Sequence, residues 1–167
     1  MRRLLLFITA LGATLGLLGL GTVAAQATSG AHFMKDTSAS VTDGGALSIF
    51  IDEAGVGNQT VSYTLDWHAT ANYGCINGGG KHPQASNKAT SAAGGSTSFP
   101  ESPINGRVMA TVPEPGTPPP APSGFSCPSG QTLVLADVQY SATLTDMTNN
   151  NVSITLTASR TFFTFRK

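Results

Sequence analysis

The chain has 167 residues, with nine Lys and Arg against nine Asp and Glu, and only 11% of its side chains are charged, where about a quarter is usual. Such sparse, balanced charge excludes a basic footprint for nucleic acid and a polybasic patch for membranes. It leaves Ser, Thr, Asn, Gln and Gly to keep the molecule in solution.

In chain order, Arg2 and Arg3 precede the apolar run Leu4 to Ala25, which ends in small residues. That is the layout of a secretory signal. Ala25-Gln26-Ala27 fits a small-x-small cleavage site, cut after Ala27, and Val23-Ala24-Ala25 offers a second site two residues earlier. An uncleaved anchor is the competing reading, because the run reaches the length of about 20 residues that crosses a bilayer; Gly and Ala dilute it. The paired arginines resemble a twin-arginine signal without its flanking pattern, so general export is expected. Residues 1–27 are thus read as a signal peptide and 28–167 as one domain. Loss of Arg2 and Arg3 with the leader leaves seven basic residues against nine acidic ones, and no membrane association is expected after cleavage.

His32 to Val41 reads as a first strand, followed by the turn Thr42 to Gly45 and a second strand, Ala46 to Asp52, with Leu47, Ile49 and Ile51 on one face. The turn Glu53 to Asn58 leads to Val61–Cys75, where Val61, Tyr63, Leu65, Trp67, Ala69, Ala71, Tyr73 and Cys75 alternate with polar residues. Side chains two apart share a face of a strand, so this stretch has one buried and one wet side, and the buried side carries the only Trp. Three strands joined by Gly-rich turns suggest an antiparallel meander. Ile76 to Lys88 holds three consecutive glycines and a proline and cannot continue a strand. Ala89 to Phe99 is expected to be a poor edge strand or an ordered loop, and Asn105 to Val112 a short strand that stops at Pro113.

Pro113 to Gly124 holds six prolines in twelve residues, which reads as an extended, exposed surface loop. Gln131 to Asp146 is a second long strand, with Val134, Ala136, Val138, Tyr140, Ala142 and Leu144 in step. The Asn149-Asn150-Asn151 triplet suits a tight turn, since Asn tolerates positive φ. Val152 to Phe165 then alternates until Arg160, where Phe163 and Phe165 switch parity as a β-bulge would require.

Seven or so strands without an amphipathic helix make this an all-β chain: an antiparallel two-sheet sandwich, immunoglobulin-like in architecture. Its topology departs from that class, since Trp67 precedes Cys75 and Cys127 falls in a loop. Two cysteines beyond an export signal predict one disulfide, Cys75–Cys127; two sulfurs alone do not fill a zinc site, so no metal is assigned.

Asp43 to Asn58, Tyr73 to Pro83 and Phe125 to Leu135 together make the chain resemble a group of small secreted proteins of high-GC Gram-positive bacteria, a group without an assigned activity. The resemblance implies export, a single domain and the disulfide, and adds nothing about chemistry.

The candidate ligand loop is Asn77, Gly78, Gly79, Gly80, Lys81 and His82, whose consecutive glycines leave backbone N–H groups open to an anion. It is no nucleotide-binding phosphate loop, because His82 stands where Ser or Thr is required. Its plainer role is a constrained loop beside the disulfide. Asp66 and His68, two apart on the wet face of the long strand, resemble an acid–base or metal pair, but a solvated strand face is the preferred reading. No Gly-x-Ser-x-Gly elbow supports a serine hydrolase, and no cofactor is assigned. The composite expectation is a noncatalytic extracellular or cell-surface module that binds an unidentified extracellular protein or surface polymer. The alternative is a small exported enzyme or protease inhibitor that uses the two disulfide-linked loops.

Overall fold

The computed structural model describes residues 30–77, 87–112 and 116–164. The leader lies outside them, as do Gly78 to His82 of the candidate loop. The described residues form eight strands: β1 (His32–Phe33), β2 (Ser38–Val41), β3 (Leu47–Ala54), β4 (Val61–Asn77), β5 (Lys88–Glu101), β6 (Arg107–Thr111), β7 (Gln131–Asp146) and β8 (Val152–Thr161). They make two antiparallel sheets that pack face to face. The large sheet has the order β5-β4-β7-β8, and in the small sheet β3 pairs with β1 and β2 along one side and with β6 along the other.

The two-residue rhythm sets the core. Val61, Tyr63, Leu65, Ala69 and Ala71 of β4 meet Leu47, Ile49 and Ile51 of β3, with Val138, Tyr140, Ala142 and Leu144 of β7 beside them, all buried. The expected first strand is divided: β1 and β2 run consecutively along β3, and Thr37 between them turns its hydroxyl inward. That hydroxyl accepts the Asp52 N–H at 3.1 Å, a group the interruption would otherwise strand, and donates to the Asp52 carbonyl at 2.7 Å, which also takes the Met34 N–H at 2.8 Å.

The expected meander is not what forms. β2 and β3 make a hairpin, but β4 crosses to the other sheet, because β3 already has partners on both sides. β5 is also more than a poor strand: all its residues from Lys88 to Glu101 pair with β4. Weak alternation misled the reading there, since an edge strand of Ala, Ser, Thr and Gly has little apolar periodicity to display.

The bulge sits on β7 rather than β8. The β4–β7 register slips between Asn72 and Tyr73, so that Asn72 faces Asp137 and Tyr73 faces Leu135. Ala136 is left over, and its carbonyl takes the N–H groups of both Phe162 (2.7 Å) and Phe163 (3.0 Å). The parity change expected after Arg160 is not seen: Phe162 keeps the even parity of Ile154, Leu156 and Ala158 and packs on the core, and Phe165 lies outside the described residues. The parity that changes is that of β7, at its bulge. Beyond it Leu135, not Val134, packs toward the core. The asparagine turn forms as expected, with Asn150 at φ 59° and Asn151 at φ 56°.

The proline-rich segment is not simply exposed. Gly116 and Pro119 are buried, and the Gly116 carbonyl accepts the Leu47 N–H at 2.8 Å. Because the large sheet's strands run to 17 residues and the small sheet's to 8 at most, part of the inner face of β4 extends past the small sheet. The proline-rich strap covers it. Trp67 lies in this region and is half-buried rather than enclosed.

Candidate functional site

The disulfide joins Cys75, near the end of β4, to Cys127, in the connection before β7. It pins the strap's far end to the large sheet. Tyr73, two residues earlier, donates its hydroxyl to the Pro119 carbonyl at 2.6 Å. Asn77 ends β4 and is exposed, opposite Gln131.

The outer face of the large sheet follows from register. Ser62, Thr64, Asp66, His68, Thr70 and Asn72 of β4 share it with the even-numbered residues of β5 from Thr90 to Pro100, with the odd-numbered residues of β7 from Asp137 to Thr145 and with those of β8. Most of these are Ser or Thr, and in the rows between Ser62 and Asn72 none is Lys, Arg or aromatic. Side-chain hydrogen bonds run across the strands. Thr90 donates to Asn72 at 2.6 Å, Asn72 donates to Asp137 at 2.9 Å, and the hydroxyls of Thr64 and Ser98 meet at 3.0 Å. At the middle of this face an open trough of about 460 Å³ is lined by His68, Thr70, Gln139, Ser141, Thr157 and Ser159.

Asp66 and His68 are exposed on that face as the alternation required. Asp66 lies between Ser96 and Thr143, and His68 between Gly94 and Ser141. Nothing across either strand supplies a third charged group to make them an acid–base unit. Among the described residues no group of three or more His, Cys, Asp and Glu is arranged to hold a metal ion, and no helix is long and apolar enough to cross a membrane.

Two acidic clusters escaped the sequence reading. On the outer face of the small sheet, Asp52 is buried beneath Arg107, which donates from Nε at 2.7 Å and Nη2 at 2.6 Å. Those hydrogen bonds hold the Asp52 carboxyl below the usual carboxylate range, against the opposing effect of burial. Between the sheets, Glu53 is fully buried; its Oε2 accepts the Tyr63 hydroxyl at 2.6 Å and its Oε1 has no partner. Asp146, opposite Tyr63 on β7, is buried too, and its oxygens accept the N–H groups of Thr148 and Asn149 and the Asn149 amide. Burial pushes the Glu53 carboxyl up to about 7; the charge of nearby Asp146 adds to the rise, while the Tyr63 hydroxyl and His32 oppose it. Burial and Glu53 together raise the Tyr63 phenol. The signal was available: Glu53 keeps the parity of Leu47, Ile49 and Ile51, and Asp146 that of Ala142 and Leu144.

Comparison of the chain with protein-family models, with curated proteins and with solved structures finds no match. Function therefore rests on the surfaces themselves.

Proposed function

We propose that this is an exported, noncatalytic binding module whose contact surface is the outer face of the large sheet, and that its ligand is an uncharged, hydroxyl-rich surface polymer. Export is supported by the leader layout of Arg2 to Ala27 and by the Cys75–Cys127 bridge, since disulfides persist in oxidising compartments.

The observation that carries the reading is the hydroxyl-lined trough of about 460 Å³, bordered along the strands by further Ser and Thr rows. Small-molecule sites are enclosed, whereas this one is open, edged by hydroxyl, amide and imidazole side chains, and continuous with the outer face of the sheet. Hydroxyl and amide groups both donate and accept, which suits a chain of sugar hydroxyls better than a phosphate or sulfate polymer. An anionic polymer would need cations, and the rows between Ser62 and Asn72 hold no Lys or Arg.

The test is retention of the purified domain on insoluble neutral polysaccharides. Ser141 and Thr157 face each other across β7 and β8, so Ser141→Arg with Thr157→Arg blocks the trough without touching the core. Retention of the wild type and loss of it by tenfold or more in the double variant is the expected result. If the wild type stays in the supernatant with every neutral polymer tried, the reading fails.

A further inference from the structure

The strap and the surface beneath it have the chemistry of a peptide–receptor pair within one chain. Proline fixes φ near −65° and holds the residue before it in the extended region. Thr117, Pro118, Pro119 and Ala121 are therefore committed to an extended conformation by Pro118, Pro119, Pro120 and Pro122. Such polyproline II segments offer carbonyl acceptors and ring faces but few donors, and receptors hold them with aromatic side chains and one or two donor groups.

The floor beneath the strap meets that description. Trp67 and Tyr140 pack at a ring-centroid distance of 6.3 Å and an interplanar angle of 59°. Gly116 lies so close over the indole that an added Cβ would stand 2.6 Å from its Cδ2 and 2.8 Å from its Cε2. Tyr73 supplies the donor, at 2.6 Å from the Pro119 carbonyl. Pro118 reaches the far wall, where a Cβ on Gly45 would lie 3.3 Å from its Cγ and 2.9 Å from Leu135. The Gly45 carbonyl accepts the Tyr140 hydroxyl at 2.9 Å, which fixes that ring's position.

We propose that Trp67, Tyr73 and Tyr140 form a binding cradle for polyproline II segments, occupied here by the chain's own strap from Gly116 to Pro120, and that a proline-rich segment of another polypeptide takes the strap's place once the strap is loosened. The occupant in place defines the partner's chemistry: consecutive prolines, a small residue over the indole and a free carbonyl toward Tyr73. Tethered at both ends, the strap competes at an effective concentration on the order of millimolar, so micromolar peptide does not displace it from the intact protein.

The experiment uses the strap variant Pro118→Ser, Pro119→Ser, Pro120→Ser, with the sole tryptophan as reporter. Its Trp67 emission should shift to the red, and a synthetic peptide with the sequence Gly-Thr-Pro-Pro-Pro-Ala-Pro-Ser should reverse the shift with saturation, while a peptide with serine at every proline should not. Adding Tyr73→Phe should weaken that binding about five- to tenfold, the worth of one hydrogen bond. If the strap variant loses its far-ultraviolet sheet signal, the same titration is run on wild-type protein with the disulfide reduced. The proposal is overturned if the folded variant ignores the peptide, if the serine peptide binds equally well, if the oxidised wild type binds as tightly as the variant, or if the variant instead pairs with a second copy.

Discussion

Glu53 continues the rhythm of Leu47, Ile49 and Ile51, and the fold honours that rhythm although the residue is a carboxylic acid. With Oε1 unpartnered and Asp146 nearby, an ionised Glu53 would place two like charges between the sheets, an expensive arrangement that His32 offsets only in part. The folded chain therefore holds the proton more tightly than the unfolded chain does, with a value of about 7 against an ordinary 4.5. Below about 4.5 the stabilisation of the neutral form is fully present. As pH rises through 7 the folded state loses stability by roughly 3–4 kcal/mol, from the shift at about 1.4 kcal/mol per unit. Asp52 works in the opposite sense: its carboxyl is held below 3.8 by Arg107, so its contribution is present above 3.8 and is lost as pH falls further. Thermal unfolding followed across pH 3 to 9 should therefore show greatest stability in mildly acidic solution. Glu53→Gln keeps an acceptor for Tyr63 and removes the titration, so its decline between pH 5 and 8 should flatten. An unchanged slope in the variant would show that Glu53 is not the group responsible. The residue was hidden from a sequence reading because acidic type and turn-like neighbours outweighed its parity.

At the scale of elements, the alternation of Val61 to Cys75 and Gln131 to Asp146 made the long strands legible, since buried and wet faces leave a two-residue signature. β5 and the strap were not legible, because neither advertises burial through large apolar side chains. β5 is placed by its ladder to β4, and the strap by a floor drawn from both sides of it in the chain, Trp67 and Tyr73 before and Tyr140 after. The disulfide binds these parts. It closes a separation of 52 residues, for which loop entropy gives about 4 kcal/mol. Cys75→Ser with Cys127→Ser should lower the thermal midpoint by more than about 10 °C. A loss of only one or two degrees would mean that the strap's noncovalent contacts hold it without the bridge. Trp67→Ala tests the same element from the other side. A fully buried aromatic costs about 3–5 kcal/mol on truncation, but this indole is half-buried between Gly95 and Gly116, and the strap can settle into the vacancy. We expect about 2 kcal/mol in denaturant unfolding. A cost near 5 would show that the strap holds its position over an empty space.

At the scale of the molecule, the two lateral openings between the sheets are managed differently. On one side β2 packs beside β8, and Arg160 reaches across to donate to the Val41 carbonyl at 3.1 Å and to pair with Asp43 at 2.7 Å. On the other side β5 ends the large sheet. Its segment Ala89 to Phe99 contains neither a charged residue nor a proline, the usual protections of a strand edge, so its defence rests on weakly apolar Ala, Ser, Thr and Gly side chains. Hydrogen exchange reads this asymmetry directly. The amides of β4 and β7 are bonded within a sheet on both flanks and should exchange only through global opening. Along β5, successive N–H groups point alternately toward β4 and away from it, so protection should alternate residue by residue from Ala89 to Phe99, with every second amide exchanging orders of magnitude faster. Uniform protection along β5 would mean that a further strand lies against this edge in solution, and raising the protein concentration would reveal whether a second copy provides it.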